Sequence, residues 1–289
     1  MPQNLTFIHL TDLHINAPSV QDDHLFSDTS ATLRKILSEV KALAPQPKFI
    51  VASGDLTNRG DVESYQHLKS IFDEAALDIP VVWALGNHDR RAGFYRGMLG
   101  RAENLGAPYF HDRVIEGLHV IALDSSAPGK IGGSIEAEQF AWLESRLNDH
   151  PDLPKLLVSH HAPLLDEDDI EMEWEAISAP DTIRLRKLLA GRNVIGLLSG
   201  HIHFDRVSSW HGVPVVVGIG QHAATDVLSL HKGVRMVSGA SFAIGTVRPS
   251  GLTVSFTPQP TDRRELHMIT FAAMAELIAK YEAAAEAAE

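Results

Sequence analysis

The chain has 289 residues, with 25 Lys and Arg against 37 Asp and Glu, 16 His and no Cys. Its length admits one large domain or two ordinary ones, and a formal charge of −12 argues against a nucleic-acid polymer as partner. The missing cysteines exclude disulfide scaffolds, thiolate zinc sites, iron–sulfur clusters and a cysteine nucleophile. No apolar run approaches the ~20 residues of a membrane span, and Met1–His14 lacks the basic start of a signal peptide, so a cytoplasmic protein with no membrane partner is expected.

Leu5–Leu10 is a short apolar run stopped by Thr11-Asp12, the pattern of a buried strand. Thr29–Ala44 places Leu33, Ile36, Leu37, Val40 and Leu43 on one helical stripe and halts at Pro45. A second strand, Phe49–Ala52, leads into Gly54-Asp55, and a helix over Val62–Leu77 follows. Ile79–Leu85 is a third strand, ending at Gly86-Asn87-His88-Asp89. Beyond a short helix at Phe94–Leu99, Val114-Ile115 and Leu118–Leu123 flank Glu116-Gly117 as a hairpin.

The same grammar then repeats. A helix at Glu136–Asn148 precedes a strand at Leu156–Ser159 that ends in His160-His161. Another helix, Asp181–Ala190, precedes a strand at Val194–Ser199 that ends in Gly200-His201-Ile202-His203. Asp205–Thr257 reads as strands without helices, with Gly212 and Gly251 at turns, and His222 follows a Val213–Ile219 strand read as running back from the rim. From Phe271 the spacing of Met274, Leu277 and Tyr281 predicts an amphipathic helix. These βα units followed by paired strands predict an α/β sandwich, one domain over residues 1–258, with residues 259–289 an extension that packs on the domain or contacts a second copy in a homo-oligomer.

Asp12 and His14, Asp55, Asn87 and His88, His160 and His161, and His201 and His203 each follow a predicted strand, where the loops of α/β sheets gather ligand chemistry. Imidazole and carboxylate without thiolate suit Zn, Fe or Mn. Asp55 has an oxygen to offer each of two ions, and Asn87 can ligate only through its amide oxygen. In a dinuclear site the two ions clamp the attacking and departing oxygens of an in-line displacement, and bridging water ionises near neutral pH to supply a nucleophile. Asp-x-His alone is noise, whereas Gly-Asn-His-Asp arises by chance on the order of 0.002 times in such a composition. Turn and capping chemistry would explain any one of these residues, but not the ordered set.

With these blocks (Asp12-Leu13-His14, Gly54-Asp55, Gly86-Asn87-His88-Asp89, His160 and Gly200-His201-Ile202-His203) the sequence resembles the calcineurin-like metallophosphoesterase superfamily over roughly residues 5–220. Asp55-Leu56-Thr57-Asn58-Arg59-Gly60, Leu123-Asp124-Ser125 and His160-His161-Ala162-Pro163 make it most similar to class III cyclic nucleotide phosphodiesterases and bacterial glycerophosphodiesterases. The resemblance implies a four-layer α/β/β/α sandwich of two mixed sheets. It also implies two cations, one held by Asp12, His14, Asp55 and His203 and the other by Asp55, Asn87, His160 and His201. His88 would contact the phosphate and protonate or stabilise the leaving oxygen.

Relatives often carry His-His-Pro-Pro where this chain has Ala162. Alignment from the first histidine makes His160 the ligand, with His161 the alternative and otherwise a substrate contact. Asp89 is expected to orient a neighbour, and His222 is a candidate for the substrate pocket together with Asn87, His88 and His161. His9, His67, His111, His119, His150, His211, His231 and His267 read as structural or solvated, and the acidic stretch Asp166–Glu173 as a solvated loop.

The expected activity is hydrolysis of a small phosphodiester, a 3′,5′- or 2′,3′-cyclic nucleotide first, by attack of a metal-bridging hydroxide. A glycerophosphodiester, or a broader range of mono- and diesters, is the alternative on the same site. A nuclease or protein phosphatase fits the charge less well, and a non-catalytic scaffold would typically have lost ligands that this chain keeps.

Overall fold

Residues 4–259 and 265–286 are described by a computed structural model. The first half contains β1 (Leu5–Leu10), α1 (Thr29–Lys41), β2 (Ile50–Ala52), α2 (Val62–Ala75), β3 (Val81–Trp83), α3 (Arg91–Gly97), β4 (His111–Ile115), β5 (Leu118–Ala122) and α4 (Ala137–Asp149). Next come β6 (Lys155–Val158), the two-residue strands β7 (Ala162–Pro163) and β8 (Ala176–Ile177), α5 (Ala179–Leu189), β9 (Val194–Ser199), β10 (Arg206–Trp210) and β11 (Val213–Val217). The chain closes with β12 (Ala224–Thr225), β13 (Gly233–Val237), β14 (Ser241–Arg248), β15 (Gly251–Pro258), β16 (Glu265–Thr270) and α6 (Phe271–Glu286).

Local chemistry sets the starts of the leading helices. Asp28 accepts a hydrogen bond from Ala31 N at 2.9 Å to cap α1, and Asp61 accepts from Ser64 N at 2.8 Å to cap α2. Helix α1 ends at Lys41, short of the expected Ala44, because the Ala42 N–H folds back onto the carbonyls of Ser38 and Glu39. Helix α3 begins at Arg91, one turn before the apolar spacing announced it.

One sheet has the order β15-β14-β1-β2-β3 and the other β10-β11-β9-β6-β5-β4. Apolar side chains fill the space between them, including Phe7, Phe49, Val51, Val82, Val120, Leu156, Val158, Leu198 and Val216. A second layer, with Leu33, Ile36, Leu68 and Phe94, joins the first sheet to α1, α2 and α3. A third, with Phe140, Leu143, Leu185 and Leu189, joins the other sheet to α4 and α5. The expected α/β/β/α sandwich is therefore the observed architecture.

Strand direction places the chemistry. Strands β1, β2 and β3 are mutually parallel, as are β5, β6, β9 and β11, so their carboxyl ends open on one rim. This corrects the reading of the strand before His222. The hairpin at His211-Gly212 makes β10 the strand that runs back, and β11, parallel to β9, returns to the rim with His222 at its end. The region Asp205–Thr257 also holds a short 3₁₀ turn at Val227–Ser229, and β12 and β13 leave the second sheet to form a small one with β16. That strand had no sequence signal. Its partner β13 is 28 residues upstream by chain numbering, counted from Val237 to Glu265.

Candidate metal centre

Five of the residues expected to bind metal stand in left-handed backbone: Asp12 (φ 47°), His14 (44°), Asp55 (47°), His201 (76°) and His203 (53°). Such a conformation costs a side-chain-bearing residue about 1–3 kcal/mol and persists where neighbours over-determine it. Here the neighbours are each other's loops. Asp12 N donates to Gly54 O at 3.0 Å and His14 N to Asp55 O at 2.9 Å, while Gly200 N donates to His160 O at 2.9 Å. Gly86 must be glycine because a Cβ there would overlap Asp55 Oδ1 and the His160 ring. Gly220, at φ +82°, lies equally close to Asp12.

The side chains converge. Ligand-type atoms of Asp12, His14, Asp55 and His203 all lie within 4.8 Å of one another, as do those of His160, His161 and His201. Asp55 joins the two groups, with Oδ2 3.7 Å from His14 Nε2 and 3.3 Å from His160 Nε2. All of these side chains are buried except that of His201, which is partly so.

One nitrogen of each ring is committed to an oxygen that can only accept. His14 Nδ1 donates to Asn58 Oδ1 at 2.8 Å, His160 Nδ1 to Ser53 O at 3.1 Å, His203 Nδ1 to Ala223 O at 3.0 Å and His201 Nε2 to Trp174 O at 2.8 Å. Each bond fixes a tautomer and turns the opposite lone pair toward the centre. His14 Nε2 and His203 Nε2 consequently face each other at 3.3 Å, two lone pairs in opposition unless a cation or proton lies between them. Asn87 Oδ1 and His160 Nε2 are buried without a hydrogen-bond partner. A buried amide oxygen without a donor, and histidine nitrogens turned onto two buried carboxylates, are what a cation site leaves behind, so the residues fit a metal.

Electrostatics agree. Burial pushes the Asp12 and Asp55 carboxyls upward, yet His203 and His160 beside them hold both below the usual carboxylate range. Burial alone would drive the His160 imidazole down, but Asp55 raises it to about 9. Burial lowers His201 to about 4 and His14 well below its ordinary value. The site holds its carboxylates charged and competes for positive charge.

The other expected residues divide. His161 is buried with both ring nitrogens engaged, Nε2 donating to Ile131 O at 2.9 Å and Nδ1 accepting from Ser125 Oγ at 2.9 Å. His88 lines the cleft, its Nδ1 donating to Asn58 O at 3.0 Å and its N–H to Asp55 Oδ1 at 2.8 Å, which leaves Nε2 for a ligand. Asp89 does not orient the His88 ring. Its carboxylate accepts from Leu56 N, Thr57 N, Gly86 N and Tyr65 OH, and so clamps the Asp55 loop to the Asn87 loop. Asp124 likewise accepts from Arg91 Nε at 2.9 Å and from Tyr109 N and Ser126 N, bracing the rim.

Some site residues were not anticipated. Asn58 was visible only as part of a motif. Phe26 and His267 line the cleft although nothing in their spacing marks them, and Trp174, which by sequence reads as a lid, an interface anchor or a partly buried aromatic, lines it too. His267, expected to be structural or solvated, packs against Phe26 at 5.9 Å. The acidic stretch Asp166–Glu173 is mostly exposed, and the cleft is reached at its end by Trp174 and Glu175. Among the described residues no helix is long and apolar enough to cross a membrane.

Known proteins place this geometry. The chain is 34% identical over 212 residues to a probable cyclic nucleotide phosphodiesterase of Rhodococcus erythropolis, covering 73% of this chain and 68% of that one. It is 30% identical over 237 residues to a cAMP/cGMP dual specificity phosphodiesterase of Mycobacterium tuberculosis, covering 81% and 72%. The fold superposes on a dimetal phosphatase from Danio rerio with a TM-score of 0.57 at 13% identity, over 92% of this chain and 99% of that one. Residues 5–205 match the model of the calcineurin-like phosphoesterases, and the chain belongs to that family.

Proposed function

We propose that the protein is a dinuclear metal-dependent phosphodiesterase whose substrate is a small diester, a cyclic nucleotide foremost. The observation that carries this reading is the carboxylate shared by two histidine groups, with Asp55 Oδ2 3.7 Å from His14 Nε2 and 3.3 Å from His160 Nε2, in a cleft where Asn87 Oδ1 is buried without a donor. Asp12, His14, Asp55 and His203 would hold one cation. Asp55, Asn87, His160 and His201, the last through Nδ1, would hold the other. His161 has no lone pair left to offer, which supports His160 as the ligand. Carboxylate, amide and imidazole donors suit Mn, Fe or Zn. Bound there, two such ions supply Lewis acidity toward the phosphate and acidify water near neutral pH.

The protein's own groups do the rest. Water attacks phosphorus in line and gives up a proton to solvent, a P–O bond forms opposite the ester bond that breaks, and the departing alkoxide takes a proton from His88 Nε2, which solvent then replaces. Asn58 O, accepting from His88 Nδ1, holds the ring with Nε2 free to meet the leaving oxygen. Of the guanidinium groups that line the cleft, Arg59 is paired with Asp22 and Arg91 with Asp124 and Glu136, while Arg90 has no ion pair among the described residues.

The test is a phosphorus NMR time course on Mn-loaded protein with 3′,5′-cyclic AMP, 2′,3′-cyclic AMP and glycerophosphocholine in one tube, and Asn87→Ala as control. Selective loss of a cyclic nucleotide in the wild type alone is expected. Loss of glycerophosphocholine alone would move the substrate to the glycerophosphodiesters. Survival of all three beside two bound metals would sink the proposed substrate class.

A further inference from the structure

The metal-binding rim occupies only one end of a much larger cavity. Its volume is about 1190 Å³, beyond the roughly 300–1,000 Å³ of pockets that enclose a drug-sized ligand. Besides Asn87 and His88 the lining includes Met236 and Met268 of the small sheet and Met274, Leu277 and Tyr281 of the C-terminal helix, with Glu276 and Lys280 of that helix. Three of the chain's six methionines therefore stand on this one wall. Their thioethers are flexible, polarizable and favourable against aromatic rings.

A column of rings connects this wall to the metal centre. The His14 ring lies 4.8 Å from His222, His222 stacks on Phe26 at 5.5 Å with the planes 9° apart, and Phe26 meets His267 on β16 at 5.9 Å. His222 is itself held by Phe26 N, which donates to its Nε2 at 3.2 Å. Across the opening, Tyr281 of α6 comes near enough to Arg59 to interact electrostatically with it. The C-terminal strand and helix thus roof the cleft at its far side.

From this geometry we infer that β16 and α6, together with Phe26 and Met236, form the specificity wall of the site and bind a flat aromatic group of the diester by its faces. The inference rests on the phosphodiesterase reading and narrows its substrate class. A phosphoryl group and its immediate ester oxygens fill only the rim, so a small aliphatic headgroup would leave the wall unused. Ring faces against Met and Phe gain burial and stacking without regard to which edge groups the ring carries. Adenine and guanine should therefore be treated alike.

The full-length, Mn-loaded enzyme and its Phe26→Ala and Met274→Glu variants test this with cyclic AMP, cyclic GMP, bis(4-nitrophenyl) phosphate and glycerophosphocholine, alongside metal content. The wild type is expected to show cyclic AMP and cyclic GMP within about threefold in kcat/KM. Each variant is expected to lose about tenfold in kcat/KM for the three aromatic diesters, carried in KM, with two metals retained and any turnover of glycerophosphocholine unchanged. Turnover with unchanged KM in both variants, or equal losses for the aliphatic diester, overturns the wall and leaves the phosphodiesterase reading standing. No turnover of any probe by two-metal enzyme overturns both.

Discussion

The two sides of the cleft are built by opposite means. On the rim, every histidine expected to bind metal has one nitrogen tied to a carbonyl or amide oxygen, and five ligands stand in left-handed backbone held by the neighbouring loop. On the C-terminal side, α6 exposes Phe271 and Tyr281, buries Met274, and lines the cleft with the apolar Met274 and Leu277 as well as Glu276, Lys280 and Tyr281. Charge separation at phosphorus needs atoms fixed before the substrate arrives. Recognition of a ring face needs area and tolerates adjustment. On the proposed reading rate and specificity are carried by separate parts of this chain, and substitutions on the rim should strike metal and turnover where wall substitutions strike KM.

The largest expected effect is at Asp55, the carboxylate nearest His160, whose Oδ2 lies 3.3 Å from His160 Nε2 and 3.7 Å from His14 Nε2. Asp55→Ala should lose at least one metal by elemental analysis and roughly 10³-fold or more in turnover. A variant that keeps both metals and full activity would remove Asp55 as the bridge and with it the division drawn above. Next in size is His88→Ala, which should lose about 10²–10⁴-fold in kcat while two metals remain, because the proposed mechanism gives His88 Nε2 proton transfer rather than coordination. Loss of metal in that variant would make His88 part of the cation site instead.

Much of this rim is legible in the sequence, and the reason is geometric. A parallel strand that ends in Gly-Asp or Gly-His-x-His can put its polar residues nowhere but the carboxyl rim, so Asp12, Asp55 and His201 are placed as soon as their strands are found. Residues that orient the ligands were harder to read because their partners come from distant loops. The Asn58 amide meets His14, 44 positions away, and the Trp174 carbonyl meets His201, 27 positions away. Backbone carbonyls carry no residue signature at all. The C-terminal wall was illegible for a different reason. Strand β16 has little alternation of its own and acquires a register only by pairing with β13. An apolar helix stripe reads the same whether it meets a domain, a second copy or a cleft.

Beneath the rim, His9 on β1 is buried and bonded to Ser53 Oγ at 2.8 Å, and burial holds its imidazole to about 4 against an ordinary 6.5. Between those pH values the unfolded chain binds the proton and the folded chain does not. Stability from this residue is therefore complete above about pH 6.5 and lost as the pH falls toward 4, a change of about 3 kcal/mol. Denaturant unfolding of metal-free wild type and His9→Gln should show that difference closing by about this amount over the window. Parallel curves would mean that His9 is protonated in the fold and that the layer under the rim is wetter than the structure shows.

The smallest of the rim effects is expected at Asn58, and it separates the two regions most sharply. Its amide oxygen accepts from His14 Nδ1, its amide nitrogen donates to Asp22 Oδ2 at 2.6 Å, and its backbone oxygen accepts from His88 Nδ1. Asn58→Ala leaves the backbone contact to His88 in place and removes the orientation of His14 together with the hydrogen bond to Asp22, which keeps its Arg59 partner. Metal affinity should therefore fall about 10–100-fold, the usual cost of removing a group that orients a ligand, while saturating metal restores kcat. KM for aromatic diesters should not move, because His14 meets the wall only through the His222 ring. A titration with Mn(II) followed by kinetics at saturation reads both quantities. If KM rises with metal saturated, the ring column transmits rim geometry to the wall, and the two sides of the cleft act as one unit rather than two.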